Sequence, residues 1–112
     1  MSAKPYRSVF RPDLFAGQIV IVTGGGSGIG RCTAHELASL GATVALVGRK
    51  PEKLTAVQTE IEDAGGKASC HVCDIRDEPG VKATVTEILA QHGAIHHLVN
   101  NAGGQFPALA KD

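Results

Sequence analysis

The sequence predicts an α/β protein: a doubly wound parallel sheet with helices on both faces. Three observations predict it. Apolar runs of strand length alternate with segments of helical periodicity in the order βαβαβαβ. The connections are short, so each return to the sheet is a right-handed crossover. The composition is 43% hydrophobic but only 4% aromatic, so Ala, Val, Ile and Leu must build the core, as suits a sheet buried under helices on both sides. At 112 residues the chain holds one compact domain and not two.

The elements follow in order. Residues 1–16 contain Pro5 and Pro12 and no sustained period, and read as an arm on the surface. Residues 18–23 make the first strand. A helix over 27–40 has Ile29, Ala34, Leu37, Ala38 and Leu40 on its apolar face, and Gly41 stands where a left-handed cap belongs. The continuous apolar run at 43–47 is a central strand. Pro51 opens a second helix with Leu54, Val57, Ile61 and Ala64 at helical spacing, stopped by Gly65-Gly66. Residues 67–73 form the third strand. Asp77 caps a third helix in which Val81, Val85, Ile88 and Leu89 face the core until Gly93. Residues 97–100 form the fourth strand. The spatial order expected is 3-2-1-4, with a crevice between strands 1 and 4 where the order reverses.

The run Thr23-Gly24-Gly25-Gly26-Ser27-Gly28-Ile29-Gly30 links the first strand to the first helix. A glycine loop in that place binds a dinucleotide pyrophosphate, because the first helical N–H groups are unpaired and the helix dipole favours an anion. The loop Asn101-Ala102-Gly103-Gly104 lies at the carboxyl end of strand 4, so both loops border the same crevice. Residues 17–104 therefore read as a dinucleotide-binding, Rossmann-type portion, and 105–112 as the start of a continuation.

The glycine spacing is T-G-x-x-x-G-x-G, with Arg31 where the general dinucleotide fingerprint has its last glycine. It resembles the nucleotide motif of short-chain dehydrogenases/reductases. Asn100-Asn101-Ala102-Gly103 and Cys73-Asp74-Ile75 resemble two further signatures of that family, in the same order and spacing, over residues 14–104. The resemblance implies roles for these residues. Gly24 would make the tight turn, Gly28 would admit the pyrophosphate, and Gly30 would allow close helix–strand packing. Asp74 would accept a hydrogen bond from the adenine amino group, with the backbone of Ile75 alongside. Asn101 would bridge the end of strand 4 to the cofactor ribose and to the backbone of the first strand. The cofactor-binding set is thus Thr23, Gly24, Ser27, Gly28, Ile29, Gly30, Arg49, Asp74, Ile75, Asn101, Ala102 and Gly103.

Strand 2 bears on the choice of cofactor. Folds that select NAD place an acid about 20 residues after the glycine loop, to hold the ribose 2′-hydroxyl. Here the sequence reads Val47-Gly48-Arg49-Lys50, without an acid. Arg49 can grip a 2′-phosphate that a carboxylate would repel, so NADP(H) is expected over NAD(H), with help from Ser27 and Arg31.

Other features carry less. Cys70-His71-Val72-Cys73 has C-x-x-C spacing, but residues three apart on a strand point to opposite faces, so no shared metal is expected. His96 and His97 flank the entry to strand 4, at the end away from the glycine loop, and read as scaffold. The charges balance at 11 against 11, which argues against nucleic acid or a membrane surface as partner. No segment has the roughly 18 consecutive apolar residues of a membrane helix. The three cysteines form no disulfide framework, so a cytoplasmic location is expected.

The family resemblance implies catalysis by a Ser and a Tyr-x-x-x-Lys pair well after the fourth strand. The sole tyrosine, Tyr6, has no Lys four residues on, so no residue here is assigned a catalytic role. The expectation is the amino-terminal half of a longer, homo-oligomeric oxidoreductase that moves a hydride to or from a small carbonyl, alcohol or enoyl thioester. A dinucleotide-binding module without chemistry is the alternative. Gly103-Gly104-Gln105-Phe106 and the arm at 10–15 resemble the trans-2-enoyl-CoA reductase-like branch, which implies an acyl thioester or a terpenoid-like alcohol as substrate.

Overall fold

The structure, a computed structural model, describes residues 9–101. Its elements are β1 (Ile19–Thr23), α1 (Gly28–Ser39), β2 (Thr43–Gly48), α2 (Pro51–Asp63), β3 (Lys67–Val72), α3 (Glu78–His92) and β4 (His97–Val99). The four strands form one parallel sheet in the order β3-β2-β1-β4. This is the Rossmann-type arrangement that the alternation of elements predicts, with the reversal of order between β1 and β4.

Alternation along the central strands divides the core into two layers. Val20, Val22, Val44 and Leu46 face α1 and α2, where they meet Ala34, Ala38, Leu54, Val57 and Ile61. Ile21, Ala45 and Val47 face the other way, onto Ile88, with Cys73 in the same layer. On α1 the buried positions are Gly30, Ala34 and Ala38, four residues apart, so a stripe of small residues lets the helix lie close to the sheet. Ile29, expected on that apolar face, is instead 75% exposed. It is one residue, or about 100° of helix rotation, off the buried stripe. The same offset explains Leu89, which is 44% exposed beside the fully buried Ile88.

The helix ends follow their residues. Gly41 adopts φ +97° just past α1, its N–H bonds to Ala38 O at 3.1 Å, and Ala42 N–H bonds to Leu37 O at 3.1 Å. Pro51 is the first residue of α2. Asp77 is at the N-cap of α3, but its side chain makes no capping hydrogen bond, contrary to expectation. Its main chain closes the preceding turn and opens the helix: its N–H bonds to Asp74 O at 2.9 Å and its carbonyl receives Val81 N–H at 2.9 Å.

The two histidines at the start of β4 act as scaffold: His96 precedes the strand and His97 opens it. Ile19 N–H donates to His96 Nδ1 at 2.9 Å, and His96 N–H donates to Ile19 O at 2.9 Å. His97 Nε2 lies 2.6 Å from Gln18 Oε1, and its ring meets the edge of Phe15. Phe15 N–H also bonds to Leu40 O at 2.8 Å, so the end of the arm is fastened to the domain. The Cys70 and Cys73 thiols point to opposite faces of the sheet, one against each core layer. Cys70 Sγ donates to Gln58 Oε1 at 3.1 Å, and burial pushes its thiol above the ordinary range.

Candidate cofactor site

The carboxyl ends of all four strands meet at one side of the sheet, and the glycine loop crosses it. Gly24 takes φ +67° directly after β1. Its N–H bonds to Val47 O at 2.8 Å, which ties the loop to the end of β2. Gly28 takes φ +58°, a left-handed conformation that costs a residue with a Cβ. Gly30 meets a different constraint. A β-carbon there would overlap the Gly24 carbonyl oxygen and stand 2.7 Å from both the Gly24 carbonyl carbon and Asn101 Nδ2.

The start of α1 is arranged as an anion site would be. Its N-cap, Ser27, is extended and exposed, its hydroxyl makes no capping hydrogen bond, and the first turn carries no acid. The first intrahelical acceptor reached is Ser27 O, bonded by Arg31 N–H at 3.2 Å. The N–H groups of Gly28, Ile29 and Gly30 therefore have no carbonyl of their own helix to bond, and the dipole adds positive potential.

Thr23 joins the two strands that border the crevice. Its buried hydroxyl receives Asn101 N–H at 2.9 Å and lies 3.3 Å from Val99 O and 3.4 Å from Asn100 Oδ1. The link between Asn101 and the first strand thus runs from the Asn101 backbone to the Thr23 side chain, where a bridge to the backbone of that strand was expected. Asn101 Nδ2 is turned toward Gly30 instead. Replacing Thr23 with valine keeps the shape and removes the hydroxyl. This should cost about 1–3 kcal/mol in a urea titration, because Asn101 N–H loses its partner.

Asp74 follows β3. Its Oδ1 accepts from Arg76 N–H at 3.0 Å and Arg76 Nε at 3.1 Å, and its Oδ2 accepts from Arg76 Nη2 at 3.0 Å. The Arg76 guanidinium, then the Arg76 backbone N–H, hold the carboxyl down at about 2, with a smaller contribution from the charge of Arg49. Asp74 is therefore a carboxylate at neutral pH, with one lone pair of Oδ2 not engaged by Arg76. Arg49 is exposed at the end of β2, near enough for its charge to act on Asp74. Ile75 is 38% exposed. Ala102 and Gly103 lie outside the described residues.

Arg31 points elsewhere. Its Nε donates to Glu60 Oε1 at 2.9 Å and its Nη2 to Glu60 Oε2 at 2.6 Å, with His35 Nε2 on the same Oε1 at 2.9 Å. It pins α1 to α2, and its paired donors are committed to that carboxylate rather than to the crevice. Glu60 is held below its ordinary value first by Arg31 and then by His35. Sequence reading missed the Arg76 clamp, although a strand-end aspartate is itself a signal for a turn in which its carboxylate accepts from the backbone N–H two residues on. It also missed the polar contacts between β3 and α3, which become visible once the sheet sets the faces.

The family profile described as short chain dehydrogenase matches residues 18–112. Among solved structures, a citronellol catabolism dehydrogenase of Pseudomonas aeruginosa is 64% identical, with TM-score 0.86, over 93% of this chain and 44% of its own. A metagenomic short-chain oxidoreductase in complex with NADP is 48% identical, with TM-score 0.77, over 80% of this chain and 40% of its own. An NAD+-bound xylitol dehydrogenase is 37% identical, with TM-score 0.79, over 82% of this chain and 35% of its own. The chain spans 32% and 38% of the length of two curated relatives, so it corresponds to about a third of them. With the glycine loop, the strand order and the matched profile in agreement, the chain belongs to the short-chain dehydrogenase family.

Proposed function

We propose that the crevice between β1 and β4 binds NADP(H), and that the chain is the cofactor-binding half of an oxidoreductase. The observation that carries this reading is one convergence at the carboxyl ends of the strands. The acid-free start of α1, the close packing of Gly30 against Gly24, the Asp74 carboxylate and the exposed Arg49 all lie there. The N–H groups of Gly28, Ile29 and Gly30 would hold the pyrophosphate, and Asp74 Oδ2 would accept from the adenine amine. Arg49 would take the 2′-phosphate, which no acid at the end of β2 repels. Asn101 would hold the ribose beside Thr23, with Ala102 and Gly103 continuing that wall. When bound, the nicotinamide supplies or accepts a hydride.

The 64% identity to a citronellol catabolism dehydrogenase supports a terpenoid-like alcohol or carbonyl as substrate ahead of an enoyl thioester. The intact enzyme would act as a homo-oligomer in the cytoplasm, a reading consistent with the free thiols of Cys32, Cys70 and Cys73. Fluorescence titration of the chain with NADPH and NADH tests the cofactor. NADPH should bind at least about tenfold tighter, the size of one charge-assisted contact. Equal affinities would overturn the preference.

A further inference from the structure

Between β3 and α3 lies a hydrogen-bonded row that the cofactor site does not use. Ser69 Oγ lies 2.8 Å from His71 Nε2 and 2.9 Å from His92 Nε2, and His71 Nδ1 contacts Glu87 Oε2. Ser69 and His71 are buried on β3, and His92 is half-buried at the end of α3. The Glu87 carboxylate reaches solvent. We infer that these four side chains form a one-proton clasp that fastens α3 to β3 and reverses its hydrogen-bond direction as the pH falls.

The inventory of donors and acceptors carries the inference. An ionised Glu87 only accepts, so a neutral His71 must keep its proton on Nδ1 and present Nε2 as an acceptor. Ser69 O–H then donates to His71 Nε2, and Ser69 Oγ accepts Nε2–H from His92. Every donor is used once. A proton added from solvent to His71 Nε2 makes that nitrogen a donor to Ser69 Oγ. The hydroxyl hydrogen turns to His92 Nε2, which gives up its proton to solvent and takes one on Nδ1. The row gains one proton in all, and His92 changes tautomer without changing charge.

A second proton does not fit. With both imidazoles charged, both Nε2–H groups point at Ser69 Oγ and its hydroxyl hydrogen has no acceptor in the row. The two rings, with centroids 6.5 Å apart, then repel each other. In agreement, burial first and the charge of His71 second hold His92 below the ordinary histidine range. The sign follows. The unfolded chain charges His92 at a higher pH than the folded chain does, so this stability is complete above the ordinary range and is lost as the pH falls through it.

Among the described residues, the other titratable groups on this side of the sheet are Glu78 and Lys82 of α3, both exposed, and two on β3 and just after it. Lys67 is exposed two residues before Ser69, and Cys73 is buried two residues after His71. β2 presents Ala45 and Val47 in this layer, neither of which titrates. Because α3 carries the chain from Asp74 toward Asn101, its hold on β3 bears on both walls of the crevice.

Long-range ¹H–¹⁵N correlation spectra of the histidine rings, from about pH 8 to about pH 5, test the clasp. At the upper end His71 should carry its proton on Nδ1 and His92 on Nε2. On acidification His71 should charge, and His92 should move to the Nδ1–H form at the same midpoint. Glu87→Ala, at a solvent-reaching position, removes the acceptor that holds the proton on His71 Nδ1, so both rings should lose their fixed tautomers at the upper end. Ser69→Ala should uncouple the two rings and give them separate midpoints. Independent titrations in the parent with no change of tautomer at His92, or a Glu87→Ala spectrum identical to the parent's, would overturn the inference.

Discussion

Gly30→Ala is expected to destabilise the domain by about 2–3 kcal/mol and to abolish nucleotide binding. The added methyl overlaps the Gly24 carbonyl oxygen and crowds the Gly24 carbonyl carbon and Asn101 Nδ2, each 2.7 Å away. Two of these atoms are backbone, held by the bond from Gly24 N–H to Val47 O, so they do not yield as a flexible side chain does. Relief requires α1 to lift off the sheet, which disturbs the contacts of Ala34 and Ala38 below it. Against a total of about 5–15 kcal/mol for a small domain, the loss is large. Gly65→Ala is the control: it has open space and a φ of +91°, so it carries only the left-handed penalty of about 1–2 kcal/mol. Urea midpoints for the two variants check the difference. Equal losses would show that the space beside Gly24 is not what selects glycine at position 30.

Arg49→Asp should invert the cofactor preference. The substitution removes the guanidinium that would pair with a 2′-phosphate and places a carboxylate where a ribose 2′-hydroxyl could donate to it. A lost charge-assisted contact of about 1.5–3 kcal/mol weakens NADPH by about 10–100-fold, and repulsion by the new acid adds to that. NADH should tighten or hold. Arg49 is exposed and outside the core, so the stability of the domain should change by less than about 0.5 kcal/mol. The same titrations that compare NADPH with NADH read this result. An unchanged ratio of affinities would remove Arg49 from the site.

The parts of the molecule governed by local pattern are legible in the residues. The apolar runs fall on the four strands, the glycines at 41 and 93 take positive φ past their helices, and the strand order follows from short crossovers. The opposite faces of Cys70 and Cys73 follow from strand alternation alone. Where sequence reading went astray, a tertiary contact decided the outcome. Ile29 and Leu89 satisfy helical spacing, yet each is one position off the stripe that meets the sheet. Arg31 looks free for a phosphate until α2 brings Glu60 beside it. Asp77 is the exception, decided locally: it stands at the N-cap, but its side chain makes no capping hydrogen bond. His71 and His92 are 21 residues apart in the chain and meet through Ser69 only once α3 lies across the sheet.

In the proposed site a dinucleotide seats its pyrophosphate on the start of α1. Amide ¹H–¹⁵N spectra recorded as NADPH is added to the chain test it most directly. The amides of Gly28, Ile29, Gly30 and Asn101 should move together and saturate with one affinity, with the side chains of Arg49 and Asp74 responding in the same range. Shifts confined to other surfaces, such as the groove that His35, Ser39 and Ile61 line at the ends of α1 and α2, would contradict it.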